Sequence, residues 1–287
     1  KRVDEYLDTL CKELTFIREQ MGARKLTTVY IGGGTPTTLE PEQLRRLLSH
    51  IQETFDFTWV KEYTVEAGRP DSITKEKLQV LRNHGINRIS INPQSMQQKT
   101  LDTIGRKHTV EQVYEAFYMA RKLGFDNINM DLIAGLPEET LEDFKETLRE
   151  VEALKPDSIT VHTLVIKRAS RLRKEQLEQG GEMREEDACI EPMQKEAEQF
   201  CRVHGYEPYY MYRQKNKAHT TRNTNQENVA YAKPGKECLY NIFIMEELQS
   251  ILALGSGGSS KIVFPEENRM ERVENVKSVD DYIGRID

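Results

Sequence analysis

Short apolar, β-branched runs alternate with longer amphipathic stretches through the first 165 residues of the chain. The strand candidates are Thr27–Ile31, Glu62–Glu66, Ile86–Ile91, Asn127–Ile133 and Ser158–Leu164. Between them the pattern predicts helices over roughly Glu40–Thr54, Thr74–His84, Val110–Leu123 and Thr140–Leu154. Strands alternating with helices in this way define βα units and a parallel sheet. The punctuation agrees. Thr140 is an N-cap candidate with acids in the following turn, and Lys155-Pro156 stops that helix because the residue before proline leaves the α region. Gly85 and Gly124 each follow a helix and precede a strand, as a left-handed C′ glycine does.

The opening stretch Val3–Gln20 carries Val3, Tyr6, Leu7, Leu10, Leu14 and Ile17 on one face and reads as an amphipathic helix. A chain that starts on a helix and continues strand, helix, strand implies a first strand and loop upstream of Lys1. After about Lys167 the pattern changes. A basic stretch, Lys167–Lys174, leads into an acidic helix around Arg184–His204. A tyrosine-rich strand, Glu207–Tyr212, and a polar segment, Arg213–Asn228, follow. The final part, Leu239–Phe264, has strand-like runs around the small-residue turn Gly255–Ser260. This shift divides the chain into residues 1–166, an α/β barrel-like part, and 167–287, a smaller α+β domain.

The 287 residues, 37% hydrophobic and 31% charged, are enough to bury a sizeable core beneath a charged surface. A net charge of −6 argues against a duplex nucleic acid as partner. No apolar run approaches the roughly 20 residues of a membrane span. Cys11, Cys189, Cys201 and Cys238 are far apart, which fits a reducing cytoplasm, and none has the close spacing of zinc or iron–sulfur ligands.

The sharpest local signal is Gly32-Gly33-Gly34-Thr35-Pro36-Thr37 at the carboxyl end of a strand. Glycines there serve a tight turn or let a ligand approach the backbone. A phosphate loop is excluded by the missing Gly-Lys-Ser/Thr, and a dinucleotide fingerprint by the spacing. Other strand ends carry polar groups too: Glu66, Gln94 and Asp131, with Arg106 in a Gly-Arg-Lys-His segment. Singly, each suits a satisfied polar group near a helix cap. As a set they converge on one mouth, because ligands of parallel α/β proteins bind at the carboxyl ends of the strands. Carboxylates and an amide suit a ribose and an ammonium group, and an arginine suits a carboxylate. S-adenosylmethionine (SAM) presents all three.

Gly32–Thr37, Glu66 with Pro70, Pro93-Gln94-Ser95, Arg106 and Met130–Pro137 resemble the oxygen-independent coproporphyrinogen III oxidase family of radical SAM enzymes. The segments Tyr212–Asn216, Glu227–Gly235 and Leu254–Ser260 look like its coproporphyrinogen dehydrogenase branch. The resemblance implies a partial (β/α)6 radical SAM barrel followed by a smaller C-terminal α+β domain. It implies that Gly33, Gly34 and Thr35 contact the methionine end of SAM. Glu66, Gln94 and Asp131 would hold its amino and ribose groups, and Arg106 its carboxylate. The family's C-x3-C-x2-C motif is absent, so the ligands of a [4Fe–4S] cluster are expected upstream of Lys1. Around Glu66 the chain reads Glu-Ala-Gly-Arg-Pro where the family more usually has Glu-x-Asp-Pro.

In that family the cluster-bound SAM is cleaved to a radical that abstracts hydrogen from a substrate propionate, and loss of carbon dioxide and an electron leaves a vinyl group. The resemblance therefore implies a porphyrinogen or haem-type tetrapyrrole and an electron donor as partners. Arg168 and Arg171, in the basic stretch, are candidates for holding propionates, or belong to a solvated helix face. Tyr209, Tyr210 and Tyr212 line a tetrapyrrole pocket or a half-buried strand. Two other readings share the scaffold: a haem-binding carrier or chaperone, for which His219 is a candidate ligand, and a radical SAM enzyme that modifies haem. A barrel enzyme using no SAM is the remaining alternative.

Overall fold

The computed structural model describes residues 2–163, 185–213 and 227–285. The architecture is α/β, a curled, mainly parallel sheet of the half-barrel type with helices between its strands. The first helix, α1, spans Arg2–Met21, and the βα alternation continues with β1 (Thr28–Ile31), α2 (Pro41–Thr54), β2 (Glu62–Gly68), α3 (Lys75–Asn83) and β3 (Arg88–Gln94). A short α4 (Gln98–Thr103), α5 (Val110–Lys122), β4 (Ile128–Ala134), α6 (Leu141–Leu154) and β5 (Ser158–Thr163) follow. The helices start where their capping chemistry lies. Thr109 and Gln112 form a reciprocal capping box on α5, and Thr140 and Asp143 form one on α6. Lys155, left-handed at φ 54°, ends α6 ahead of Pro156.

The chain forms two compact units. The first comprises Lys1–Val65, Thr74–Asn87 and Cys238–Asp287. In it β1 pairs parallel with β2, Thr28 opposite Glu62 and Ile31 opposite Val65. The stretch Leu239–Glu246, which the apolar run predicts as strand-like, is a helix, α8. Its start is satisfied from afar. The buried Glu62 carboxylate accepts the backbone N–H groups of Leu239 (2.6 Å) and Tyr240 (3.2 Å), and the Cys238 thiol (3.4 Å). A carboxylate on the exposed N–H groups of a first turn favours helix over strand, and residues so distant in sequence leave no local sign of it. Beyond α8, β8 (Ser259–Phe264) and β9 (Arg269–Glu274) form an antiparallel pair, and α9 spans Val279–Arg285. Glu13 of α1 accepts from Gly255 N–H (2.8 Å), Asn275 Nδ2 (2.8 Å) and Tyr282 Oη (2.5 Å), tying this C-terminal part to the opening helix.

The second unit comprises Glu66–Ile73 and Arg88–Glu237. Here β3, β4 and β5 run parallel, with Ile91 opposite Met130 and Asp131 opposite Thr160. After α7 (Glu185–Val203), β6 (Glu207–Arg213) and β7 (Glu227–Ala232) form an antiparallel pair, and β7 continues the sheet beyond β5. Met130, Leu132 and Ile159, like Phe117, Phe125 and Phe144, are buried in a core shut off from water. At the amino edge of these strands Asp157 acts as a clamp. Its carboxylate accepts from Ile128 N–H (2.8 Å) and Arg121 Nη1 (2.6 Å), while Arg121 also donates to the carbonyls of Phe125 and Lys155.

Asp157→Ala would leave the buried Ile128 N–H without its acceptor and the part-buried Arg121 guanidinium with carbonyl acceptors in place of its carboxylate. Removing one partner of such a pair costs about 3 kcal/mol. The variant is expected to show a lower urea midpoint at an unchanged m value.

Candidate functional site

Parallel strands covered on both faces are ordinarily apolar throughout. In the second unit one face of the sheet departs from this. Alternate positions carry Arg88, Ser90, Asn92 and Gln94 on β3, Asn129 and Asp131 on β4, and Ser158, Thr160 and His162 on β5. Most of them are buried and joined in a ladder. Arg88 donates to Ser158 Oγ (3.0 Å), Ser158 and Thr160 both donate to Asn129 Oδ1 (2.9 and 3.1 Å), and Asn129 Nδ2 donates to Asp131 Oδ1 (2.6 Å). The other Asp131 oxygen lies 3.7 Å from His162 Nε2. Ser90 Oγ and Asn92 Oδ1 are buried and find no partner among the described residues. Buried groups of this kind are normally satisfied, so this face fits a polar ligand or water.

His162 sits between opposing influences. Burial pulls its pKa down, but the hydrogen bond and charge of Asp131, with the charge of Glu66, leave it above the ordinary 6.5. Gln94, the last residue of β3, takes the left-handed conformation at φ 69°, where the ladder to β4 is irregular. Such backbone in a non-glycine residue costs on the order of 1–3 kcal/mol and persists where surroundings hold it. The surroundings are specific. His108 donates from Nε2 to Pro93 O (3.1 Å), Ser95 Oγ donates to Glu139 (2.6 Å), and Met96 N–H donates to Thr147 Oγ1 (3.2 Å). Burial pushes the Glu139 carboxyl up to about 7, against the Ser95 hydrogen bond that lowers it. Gly135, past β4, combines φ 84° with close approach: a Cβ there would meet Ile190 at 2.6 Å.

Arg106 follows α4 and lines a cavity of about 350 Å³ with Arg69, Lys107, Ile104, Ile133 and Leu136. Its guanidinium makes no hydrogen bond or ion pair among the described residues. Burial, and then the charge of Arg69, push its pKa below the ordinary value, with Asp71 acting the other way.

In the first unit, Gly32–Gly34 follow β1 with their backbone exposed. Gly33 has φ 103°, and a Cβ at Gly33 or Gly34 would meet nothing within 4 Å, so this backbone is open to a ligand. Thr35 opens the following short turn, whose Thr37 carbonyl accepts from buried Lys77 Nζ (2.6 Å).

Of the predicted site residues, Glu66, Gln94, Arg106 and Asp131 belong to the second unit and Gly33, Gly34 and Thr35 to the first. Arg168, Arg171 and His219 lie outside the described residues. Residues that sequence reasoning missed are His162, Ser90, Asn92, Asn129 and Arg69. A signal for all but Arg69 exists in the polar residue at every second position of three strands. Cys11, Cys201 and Cys238 are buried free thiols, and no three metal-ligating side chains gather among the described residues. These residues do not fit an iron–sulfur cluster. No described helix is long and apolar enough to cross a membrane.

The model of the radical SAM superfamily matches residues 12–151, and the chain belongs to that superfamily. Over its whole length it is 44% identical to the oxygen-independent coproporphyrinogen-III oxidase-like protein HemZ of Bacillus subtilis, spanning 56% of that protein. Over 57% of its length it is 37% identical to the heme chaperone HemW of Bacillus subtilis, 43% of which is matched. The chain thus spans about half the length of these relatives. Coproporphyrinogen III oxidase (HemN) from Escherichia coli shares the fold at a TM-score of 0.75 and 23% identity, with 99% of this chain and 62% of that one covered.

Two titrations test the electrostatics. The His162 imidazole is expected to titrate above 6.5 by NMR, and Asp131→Asn to bring it down. The stability His162 contributes is then full below pH 6.5 and is lost as pH rises through its folded value. Glu139, ordinarily near 4.5 and here about 7, is favoured protonated, so stability falls as pH rises from 4.5 through 7. Glu139→Gln should match wild type in urea unfolding at pH 4.5 and exceed it by roughly 2–3 kcal/mol at pH 8.

Proposed function

We propose that this chain is the SAM-binding part of a radical SAM oxidoreductase that converts propionates of coproporphyrinogen III to vinyl groups by oxidative decarboxylation. The observation that carries the reading is Arg106, a half-buried guanidinium with no partner among the described residues, lining a ligand-sized cavity past β4. A planar fork of this kind matches an α-carboxylate. In this reading Arg106 holds the SAM carboxylate, and Asp131, oriented by Asn129 and His162, accepts from ribose hydroxyls. Glu66 and Gln94 take the remaining amino and ribose contacts. Bound SAM, with a reduced iron–sulfur cluster, supplies hydrogen-abstracting chemistry, while this chain binds, orients and shields it.

The cluster needs three thiolates, which the described cysteines do not assemble, so its ligands are proposed to lie outside this chain. Arg168 and Arg171 are proposed to bind propionates, with electrons coming from a separate donor. The coproporphyrinogen assignment is supported by the names of the HemZ and HemN relatives. The HemW similarity supports a second reading, a haem-binding chaperone. A longer protein carrying C-x3-C-x2-C, reconstituted anaerobically with SAM and reductant, separates the two. Carbon dioxide and a vinyl product from coproporphyrinogen III favour the oxidoreductase; tight haem binding without turnover favours the chaperone.

Two results are expected along the way. The chain from Lys1 to Asp287, reconstituted alone, should retain no stoichiometric iron and sulfide. In the cluster-bearing protein Arg106→Ala should leave cluster content unchanged and weaken SAM binding about 10- to 150-fold, the loss of a charge-assisted pair worth roughly 1.5–3 kcal/mol. Unchanged SAM affinity would remove Arg106 from the site.

A further inference from the structure

Arg69 belongs to the segment where this chain departs from the usual family pattern, Gly68-Arg69-Pro70 after Glu66. Its backbone is fixed: the N–H and hydroxyl of Ser72 both donate to the Arg69 carbonyl (3.0 and 2.8 Å), closing a short turn led by Pro70. Its side chain is half committed. Nε and Nη2 donate to the two oxygens of Asp71 (3.1 and 2.9 Å), and Nη1 makes no hydrogen bond among the described residues. The guanidinium lines the same cavity as Arg106, near enough for the two charges to oppose each other. Lys107 adds a third cation, and Asp71 is the carboxylate that acts on Arg106. Among the described residues the cavity thus carries more positive charge than Asp71 neutralises. Its remaining walls include Ile104, Ile133 and Leu136.

Resting on the reading in which Arg106 holds the SAM carboxylate, we propose that Arg69 forms an adjoining subsite for a second alkyl carboxylate. A methylene chain lies against the isoleucine and leucine side chains, and its carboxylate meets the free edge of Arg69 beside the one on Arg106. Two carboxylates side by side would repel. Two guanidiniums that repel each other when empty accept such a pair and are relieved by it. The apolar walls favour an alkyl carboxylate over a phosphate. The second carboxylate belongs to a propionate arm of the tetrapyrrole, and the experiment carries an adenosyl arm as its control.

The purified chain is titrated with coproporphyrin III, a stable tetracarboxylate, and separately with S-adenosylhomocysteine, by fluorescence and calorimetry. Arg69→Gln is expected to weaken coproporphyrin III binding about 10-fold, Arg69→Lys by less, and both to leave S-adenosylhomocysteine within about twofold. Asp71→Asn, which frees the Arg69 fork, is expected to tighten coproporphyrin III binding, and it covers the case in which Arg69→Gln unfolds. Equal coproporphyrin III affinity in wild type and a folded Arg69→Gln overturns the proposal. So does no gain in a folded Asp71→Asn, or displacement of the porphyrin by pyrophosphate at lower concentration than by glutarate. Loss of S-adenosylhomocysteine equal to the loss of porphyrin assigns Arg69 to the adenosyl ligand and overturns the adjoining subsite. Failure of Arg106→Gln to weaken S-adenosylhomocysteine sinks the SAM reading alone, since the Arg69 comparison is read on coproporphyrin III.

Discussion

Parallel strands impose a shared direction, and the chemistry of this protein follows from that constraint. When β3, β4 and β5 run the same way, their amino ends meet at one edge and their carboxyl ends at the other. The amino edge is closed. Asp157 joins the starts of β4 and β5 through Ile128 and Arg121, so the strands cannot slide without breaking charge-assisted hydrogen bonds. The carboxyl edge is left to carry groups that packing alone would not choose: a left-handed Gln94, a raised His162 and an Arg106 without a partner among the described residues. Strain and uncompensated charge of this kind persist only on a frame that is over-determined elsewhere.

The polar face of the second unit has a physical cost that marks it as a candidate site. Burying Ser90 Oγ and Asn92 Oδ1 without partners among the described residues forfeits hydrogen bonds to water, and a sheet built only for stability would place apolar side chains there. The ladder from Arg88 to His162 limits that cost by satisfying most of its members internally. What it leaves open lies toward the carboxyl end. Candidate site and scaffold are therefore the same strands read on opposite faces, with Met130, Leu132 and Ile159 supplying the core on the other side.

Much of this was legible before any coordinates. The βα alternation, the capping boxes at Thr109 and Thr140 and the stop at Lys155-Pro156 are local, and each element formed within a few residues of its predicted bounds. β3 runs on to Gln94 rather than ending at Ile91, because its later positions are polar and their partners lie on other strands. α8 read as strand-like, because the carboxylate that stabilises its first turn sits on β2. The alternation that carries His162 along β5 is visible in the chain, but the carboxylate beside it, Asp131, sits on β4 and leaves no local sign.

Glycine triplets, capping residues and two-residue or four-residue apolar periods are written in the chain itself, because steric limits and hydrogen bonds between near neighbours decide them. From these the sequence alone determined the α/β class, the order of its units and the residues Gly33, Glu66, Gln94, Arg106 and Asp131 as candidates. Only the tertiary structure decided how such groups are charged and what they touch. That Arg106 shares a cavity with Arg69, that Glu62 caps a helix 177 residues away and that burial holds Glu139 near 7 depend on distance and desolvation. Those quantities do not exist until residues remote in sequence are brought together out of water.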